Sequence, residues 1–249
     1  MSGAVEARVE VHPRPANPLE RTASGPLTDL ALTLPIFIAY HLGVVLLPMR
    51  NAADWVTRSL IDLADRSLVY YSALTVAIGA IYVGILLIAG RGKTMRWQAF
   101  TWLIAESGVY AFAMQSLASY AVGRLSLVGT DAVLTEVSPF AGLILSLGAG
   151  FYEEVAFRVL LFGLGFKALT VLFPLHGFKR LAVWLAWGVG TSLFFSLWHY
   201  LGPLADPLDL RTFVFRAVCG LVFIVIYQLR GFAPAVWTHA LYDIWVLVF

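Results

Sequence analysis

The sequence predicts an all-α protein, a polytopic transmembrane helical bundle of about seven spans. Its 249 residues are 60% hydrophobic and only 13% charged, against about half and a quarter in an ordinary soluble domain. Mean hydropathy is +0.81. Apolar stretches long enough to cross a bilayer recur along the chain, and 8 Trp, 10 Tyr and 17 Phe suit interfacial belts and bundle packing.

Residues 1–29 are polar, contain Pro and carry charges of both signs. They lack the apolar stretch of a secretory signal and are expected to form a cytosolic tail. Spans are then expected at about 30–49, 68–90, 97–122, 139–166, 182–200, 211–229 and 232–249. Between the first two, Asp54 to Arg66 mixes Trp55, Leu60, Ile61 and Leu63 with Asp54, Arg58, Asp62 and Asp65. That pattern fits an amphipathic helix in the interface, or a solvated loop helix equally well. Gly142, Gly148, Gly150, Gly163, Gly165, Gly188 and Gly190 crowd the fourth and fifth spans. Small residues let helices approach closely in lipid, so these two spans are expected to pack tightly. The organisation read from this is a tail (1–29), N-terminal spans with the interfacial segment (30–138), and a C-terminal core of about four spans (139–249).

Lys and Arg in the flanks orient the bundle. One side holds Arg8, Arg14, Arg21, Arg91, Lys93, Arg96, Lys167, Lys179, Arg180 and Arg230. The other holds Arg50, Arg58, Arg66, Arg124 and Arg211. The N-terminus is therefore expected in the cytosol and the C-terminus outside. A net charge of +2, with no basic stripe, gives no case for nucleic acid. Cys219 is alone, so no intrachain disulfide and no cysteine metal site can form; it reads as a small packing residue.

Three pairs spaced four residues apart stand inside the apolar stretches of the C-terminal half: Glu154 with Arg158, Phe195 with His199, and His239 with Asp243. Four residues is about one helical turn, so each pair shares a helix face. Burying an Asp or Arg in hydrocarbon costs roughly 2.5–3.5 kcal/mol even on the mildest insertion scale. A chain that does so in three separate helices is expected to use the groups together. Glu154 is placed to pair with Arg158, which leaves Glu153 facing the bundle interior as a candidate general base. His199 and His239 supply acid–base imidazoles and a donor for an oxyanion. The plainer readings are an ion pair of Glu153 with Arg216, a snorkelling Arg216, and a packing role for Phe195. His41, Glu106 and Gln115 are further intramembrane polar groups, read chiefly as interhelical hydrogen-bond formers.

Glu-Glu-x-x-x-Arg at 153–158, then Phe-x-x-x-His at 195–199, then His-x-x-x-Asp at 239–243, in this order on successive spans, resembles the CPBP family. These are the CAAX-prenyl-protease and bacteriocin-processing (Abi) intramembrane endopeptidases, which include the Ras-converting endopeptidase of eukaryotes. The resemblance covers about residues 140–249. It implies that Glu153 and His199 activate a water for attack on a peptide carbonyl. His239 and Asp243 would stabilise the oxyanion, and Glu154 and Arg158 would hold the first motif in place. Many members carry Asn where this chain has Asp243; an ionised Asp cannot donate to an oxyanion but can orient His239. No cofactor is favoured, although Glu153, His199 and His239 could ligate zinc.

The expected activity is cleavage of membrane-anchored, prenylated or C-terminally hydrophobic proteins within a bacterial plasma membrane. The alternatives are a non-enzymatic bacteriocin-immunity scaffold and a proton-coupled transporter. The chain lacks His-Glu-x-x-His, Gly-x-Ser-x-Gly and Gly-x-Gly-Asp, the signatures of other hydrolase designs.

Overall fold

The computed structural model describes residues 26–47, 51, 53–54, 67–89, 97–125, 138–202 and 205–249. The expected interfacial helix falls on 54–66, of which all but Asp54 lies outside the described residues, as do residues 1–25 of the expected tail.

Helices stand at all seven expected positions: α1 Pro26–Val45, α2 Leu68–Ala89, α3 Trp97–Arg124, α4 Pro139–Leu172, α5 Gly177–Trp198, α6 Leu210–Arg230 and α7 Phe232–Val248. Five of them, α1, α2, α4, α5 and α6, are long and apolar enough to cross a membrane. This is an all-α integral membrane protein, with five such helices among the described residues where seven spans were expected. α7 has only 17 residues. α3 is long enough at 28 residues, but Glu106, Ser107, Gln115 and Ser116 dilute its apolar character.

Local chemistry fixes the helix ends. At α4, Ser138 Oγ accepts from Ala141 N at 3.3 Å and Pro139 opens the first turn. At α6, Asp209 Oδ1 accepts from Thr212 N at 2.8 Å. Between α6 and α7 the chain reverses at Gly231, whose φ of 100° is open to glycine at little cost. Gly231 brings no side chain to the first turn of α7, and Asp29 on α1 supplies the acceptor, with its Oδ2 at 2.8 Å from Phe232 N. Asp29 was expected in a polar tail. It is instead a buried residue in the first turns of α1.

α7 occupies the centre, packed against α1, α3, α4 and α6. One core cluster joins α1 (Ile36, Tyr40, Val44), α4 (Ile144, Leu147, Tyr152) and α7 (Val236, Ala240). A second joins Met114 of α3, Phe157 of α4, Phe195 of α5, Cys219 and Phe223 of α6 and Ala235 of α7. Cys219 is thus the packing residue expected. α2 stands at the edge, tied to α1 by Tyr82, which donates to Leu30 O at 2.7 Å, and otherwise largely exposed for lipid.

The glycines of α4 also serve a contact other than the one expected. A Cβ on Gly142 would meet Leu247 O at 2.7 Å, and one on Gly150 would meet Val236 O at 2.8 Å. These glycines therefore bring α4 against α7. The α4–α5 contact does use small residues, Gly165 under Trp187 and Gly188 against Phe162, whereas Gly190 has nothing near it.

The middle of α4, Ala149–Leu164, is π-helical. Hydrogen bonds from i to i+5 widen the turn, and such stretches recur at functional sites. More residues per turn means that adjacent side chains diverge less than in an α-helix. Glu153 and Glu154 lie in this stretch and are both buried.

Candidate functional site

Glu153 projects from the widened turn of α4, His199 caps the C-terminal end of α5, and His239 and Asp243 lie one turn apart on α7. The bundle brings the four together. Glu153 Oε2 stands 3.9 Å from His199 Nε2 and 3.8 Å from His239 Nε2. Asp243 Oδ2 is 3.6 Å from the same His239 nitrogen. These gaps are too long for direct hydrogen bonds and have the size that one bridging water spans. Glu153 Oε2 is buried with no hydrogen-bond partner among the described residues.

Each imidazole is oriented through its other nitrogen. His199 Nδ1 lies 3.0 Å from Phe195 O. A carbonyl can only accept, so Nδ1 carries a proton, and this contact turns Nε2 toward Glu153. His239 Nδ1 lies 2.7 Å from Glu154 Oε1. The carboxylate accepts there, which turns His239 Nε2 toward Glu153 and Asp243. The resemblance gave Asp243 an oxyanion role, with orientation of His239 as the alternative; the shorter contact to His239 is that of Glu154. In the widened turn, Glu154 reaches Arg158 and His239 at once.

Glu154 Oε2 and Arg158 Nε form the expected pair at 3.1 Å, with both side chains almost wholly buried. The Arg158 guanidinium lies over two rings, 4.3 Å from the Phe195 centroid and 4.7 Å from that of Phe223. Phe223 stacks on His239 at 4.6 Å, and the edge of Phe195 faces both histidines. Phe195 is thus a wall shared by the two imidazoles and the buried cation.

The remaining polar groups sort differently. Arg216 donates from Nη2 to Asp206 at 2.6 Å and does not pair with Glu153. Glu106 binds Arg230 through both oxygens, at 2.5 and 2.9 Å. His41 Nε2 meets Tyr152 Oη at 2.6 Å. Gln115 Oε1 is buried without a partner among the described residues. Glu153 instead has a partner that sequence reasoning missed: Asn51 donates from Nδ2 to Glu153 Oε1 at 2.8 Å. Asn51 lies outside every apolar span and every motif, so no periodicity pointed to it.

Among the described residues no three His, Cys, Asp or Glu side chains are gathered as metal ligands.

The cluster is open at one end of the bundle. His199 and Asp243 keep 24% and 20% of their side-chain surface exposed, while Glu153 keeps 7%. Gly142 at the start of α4 meets the end of α7, and Asp29 at the start of α1 meets the start of α7. The opening therefore lies at the end where α1, α5 and α7 finish. Lys167, Lys179 and Arg180 lie at the end of α4 and the start of α5, and Arg230 next to the start of α7, all at the opposite end.

Residues 135–245 match the family model described as Type II CAAX prenyl endopeptidase Rce1-like. No curated protein and no solved structure gives a significant match.

Proposed function

We propose, from the match of residues 135–245 to the model described as Type II CAAX prenyl endopeptidase Rce1-like, that this chain is a hydrolase of that family, a glutamate-type intramembrane endopeptidase acting on membrane-anchored proteins. The observation that carries the reading is Glu153 Oε2 lying 3.9 and 3.8 Å from the Nε2 atoms of His199 and His239.

In this reading a water sits between Glu153 and His199. Glu153 takes its proton, and the oxygen attacks the scissile carbonyl carbon. Negative charge then moves to the carbonyl oxygen. His239, donating from Nε2 as an imidazolium while Glu154 holds Nδ1, stabilises that oxyanion. The proton held on Glu153 passes to the departing amide nitrogen as the C–N bond breaks. Asp243 is the weakest oxyanion donor of the set, and its 3.6 Å approach to His239 Nε2 suits a carboxylate that steadies the imidazolium. Glu154 and Arg158 position the machinery without touching substrate.

The substrate class follows from the family and from the depth of the site: a prenylated or C-terminally hydrophobic protein whose scissile bond enters from the membrane boundary. α3 and α7 complete seven spans in this proposal, with the N-terminus cytosolic and the site opening outward in a bacterial plasma membrane.

The test is turnover of a prenylated peptide with a CAAX-type C-terminus by the purified protein in liposomes. Glu153→Gln and His199→Ala are each expected to lower kcat about 100- to 10,000-fold, the range of general acid–base catalysis. Wild-type turnover in either variant removes the mechanism.

A further inference from the structure

The four groups of the cluster all come from the C-terminal half, yet the Glu153 carboxylate is also held from residues before α2. Asn51 donates from Nδ2 to Glu153 Oε1 at 2.8 Å. The orientation of this amide is set by its own turn: Asn51 Oδ1 accepts from Ala53 N at 2.8 Å, and its carbonyl accepts from Asp54 N at 3.1 Å. With Oδ1 engaged by a backbone donor, the group facing Glu153 is the NH2.

The turn is anchored in turn. Tyr40 donates to Asp54 Oδ2 at 2.6 Å, and its oxygen accepts from Asn51 N at 3.3 Å. Tyr40 itself is completely buried in α1, against Gly148 of α4. A chain of contacts thus runs from the core of α1 through Asp54 to Asn51 and onto the carboxylate.

A carboxylate can rotate about its last bond, and only one rotation aims a given oxygen at a given partner. With Oε1 held by Asn51, Oε2 faces His199 and His239. We propose that Asn51 is a positioning residue for Glu153: its amide locks the carboxylate so that one oxygen is engaged and the other is presented to the water and the two imidazoles. The inference rests on the endopeptidase reading above. It extends the working site beyond residues 135–245 into the N-terminal half of the chain.

A purely structural role for Asn51, closing its own turn, needs only the Oδ1 acceptor. Asn51→Asp keeps that acceptor and removes the donor, whereas Asn51→Ala removes both. Full-length protein in liposomes, assayed on the prenylated peptide, is expected to lose about 10- to 100-fold in kcat in Asn51→Ala with KM unchanged, the scale seen when an orienting partner is removed. Asn51→Asp is expected to lose at least as much, since it sets a carboxylate against Glu153. Infrared difference spectra against Glu153→Gln isolate the Glu153 carboxylate band, which is expected to shift in Asn51→Ala. Wild-type kcat in Asn51→Asp, or a band that stays in place, overturns the proposal. Wild-type turnover in Glu153→Gln instead overturns the endopeptidase reading, and the band then decides alone whether Asn51 holds the carboxylate.

Discussion

Glu154 accepts from His239 with one oxygen, at 2.7 Å, and faces Arg158 with the other, at 3.1 Å, in a place almost without solvent. Removal of this buried pair exposes an asymmetry. Taking away one partner of a buried pair leaves an uncompensated charge and costs about 3–5 kcal/mol, while replacing both by apolar groups of similar volume is often near neutral. Arg158→Met is expected to cost about that much, and the double variant Glu154→Leu/Arg158→Met to recover only part of the loss, because it also takes the acceptor from the buried His239 Nδ1. Unfolding measured in one detergent for the wild type, Glu154→Leu, Arg158→Met and the double variant checks this; additive losses would show the pair to be uncoupled. The double variant is also expected to be inactive, because Leu at 154 leaves His239 Nδ1 unheld. Of the site's residues, Glu153, Glu154, Arg158, His199, His239 and Asp243 were legible because polar groups at four-residue spacing stand out in apolar spans. Asn51 was not, because an asparagine in a polar connection carries no such signal.

α4 carries its side of the site on a widened turn and meets α7 through glycine. A Cβ at Gly150 would stand 2.8 Å from the Ala240 Cβ and from the Val236 carbonyl. Those atoms belong to the helix backbone or sit next to it, so they cannot swing aside as a long side chain would. Gly150→Ala is expected to push α7 away, cost about 1–3 kcal/mol by overpacking, and lower kcat because His239, the neighbour of Ala240, moves with the helix. Gly190→Ala is the control: nothing lies near that position, and both stability and kcat are expected to stay at wild-type values. Loss of the thermal midpoint and of turnover in Gly150→Ala alone is the expected pattern. The glycines were visible in the sequence as a crowd in two spans. Which helix each one faces depends on rotation about the helix axis, which the π-helical stretch resets.

Seven helices place the cluster at the end where α1, α5 and α7 finish, with Lys167, Lys179, Arg180 and Arg230 at the other. The positive-inside rule supports the proposal that the open end faces away from the cytosol. In a Cys219→Ala background, Asp206→Cys is expected to react with a membrane-impermeant maleimide added to intact cells. Lys179→Cys is expected to react only after lysis. The opposite pattern would turn the molecule over and place the site on the cytosolic side.

Composition and the recurrence of apolar stretches determined by themselves that this is a helical membrane protein, because backbone groups in hydrocarbon must be satisfied within the chain. The three four-residue pairs marked the helices whose polar groups gather into one cluster, because a charged side chain in lipid is costly to keep without partners. Tertiary structure decided what those groups do to one another. It set Glu154 on His239 Nδ1, separated Arg216 from Glu153, capped α7 with Asp29 and brought Asn51 onto Glu153 from 102 positions away in sequence. The physical reason is one of range. Helical periodicity reports which face a residue occupies within a turn or two, whereas these contacts are set by how helices approach and rotate against each other, and that depends on the packing of the whole bundle.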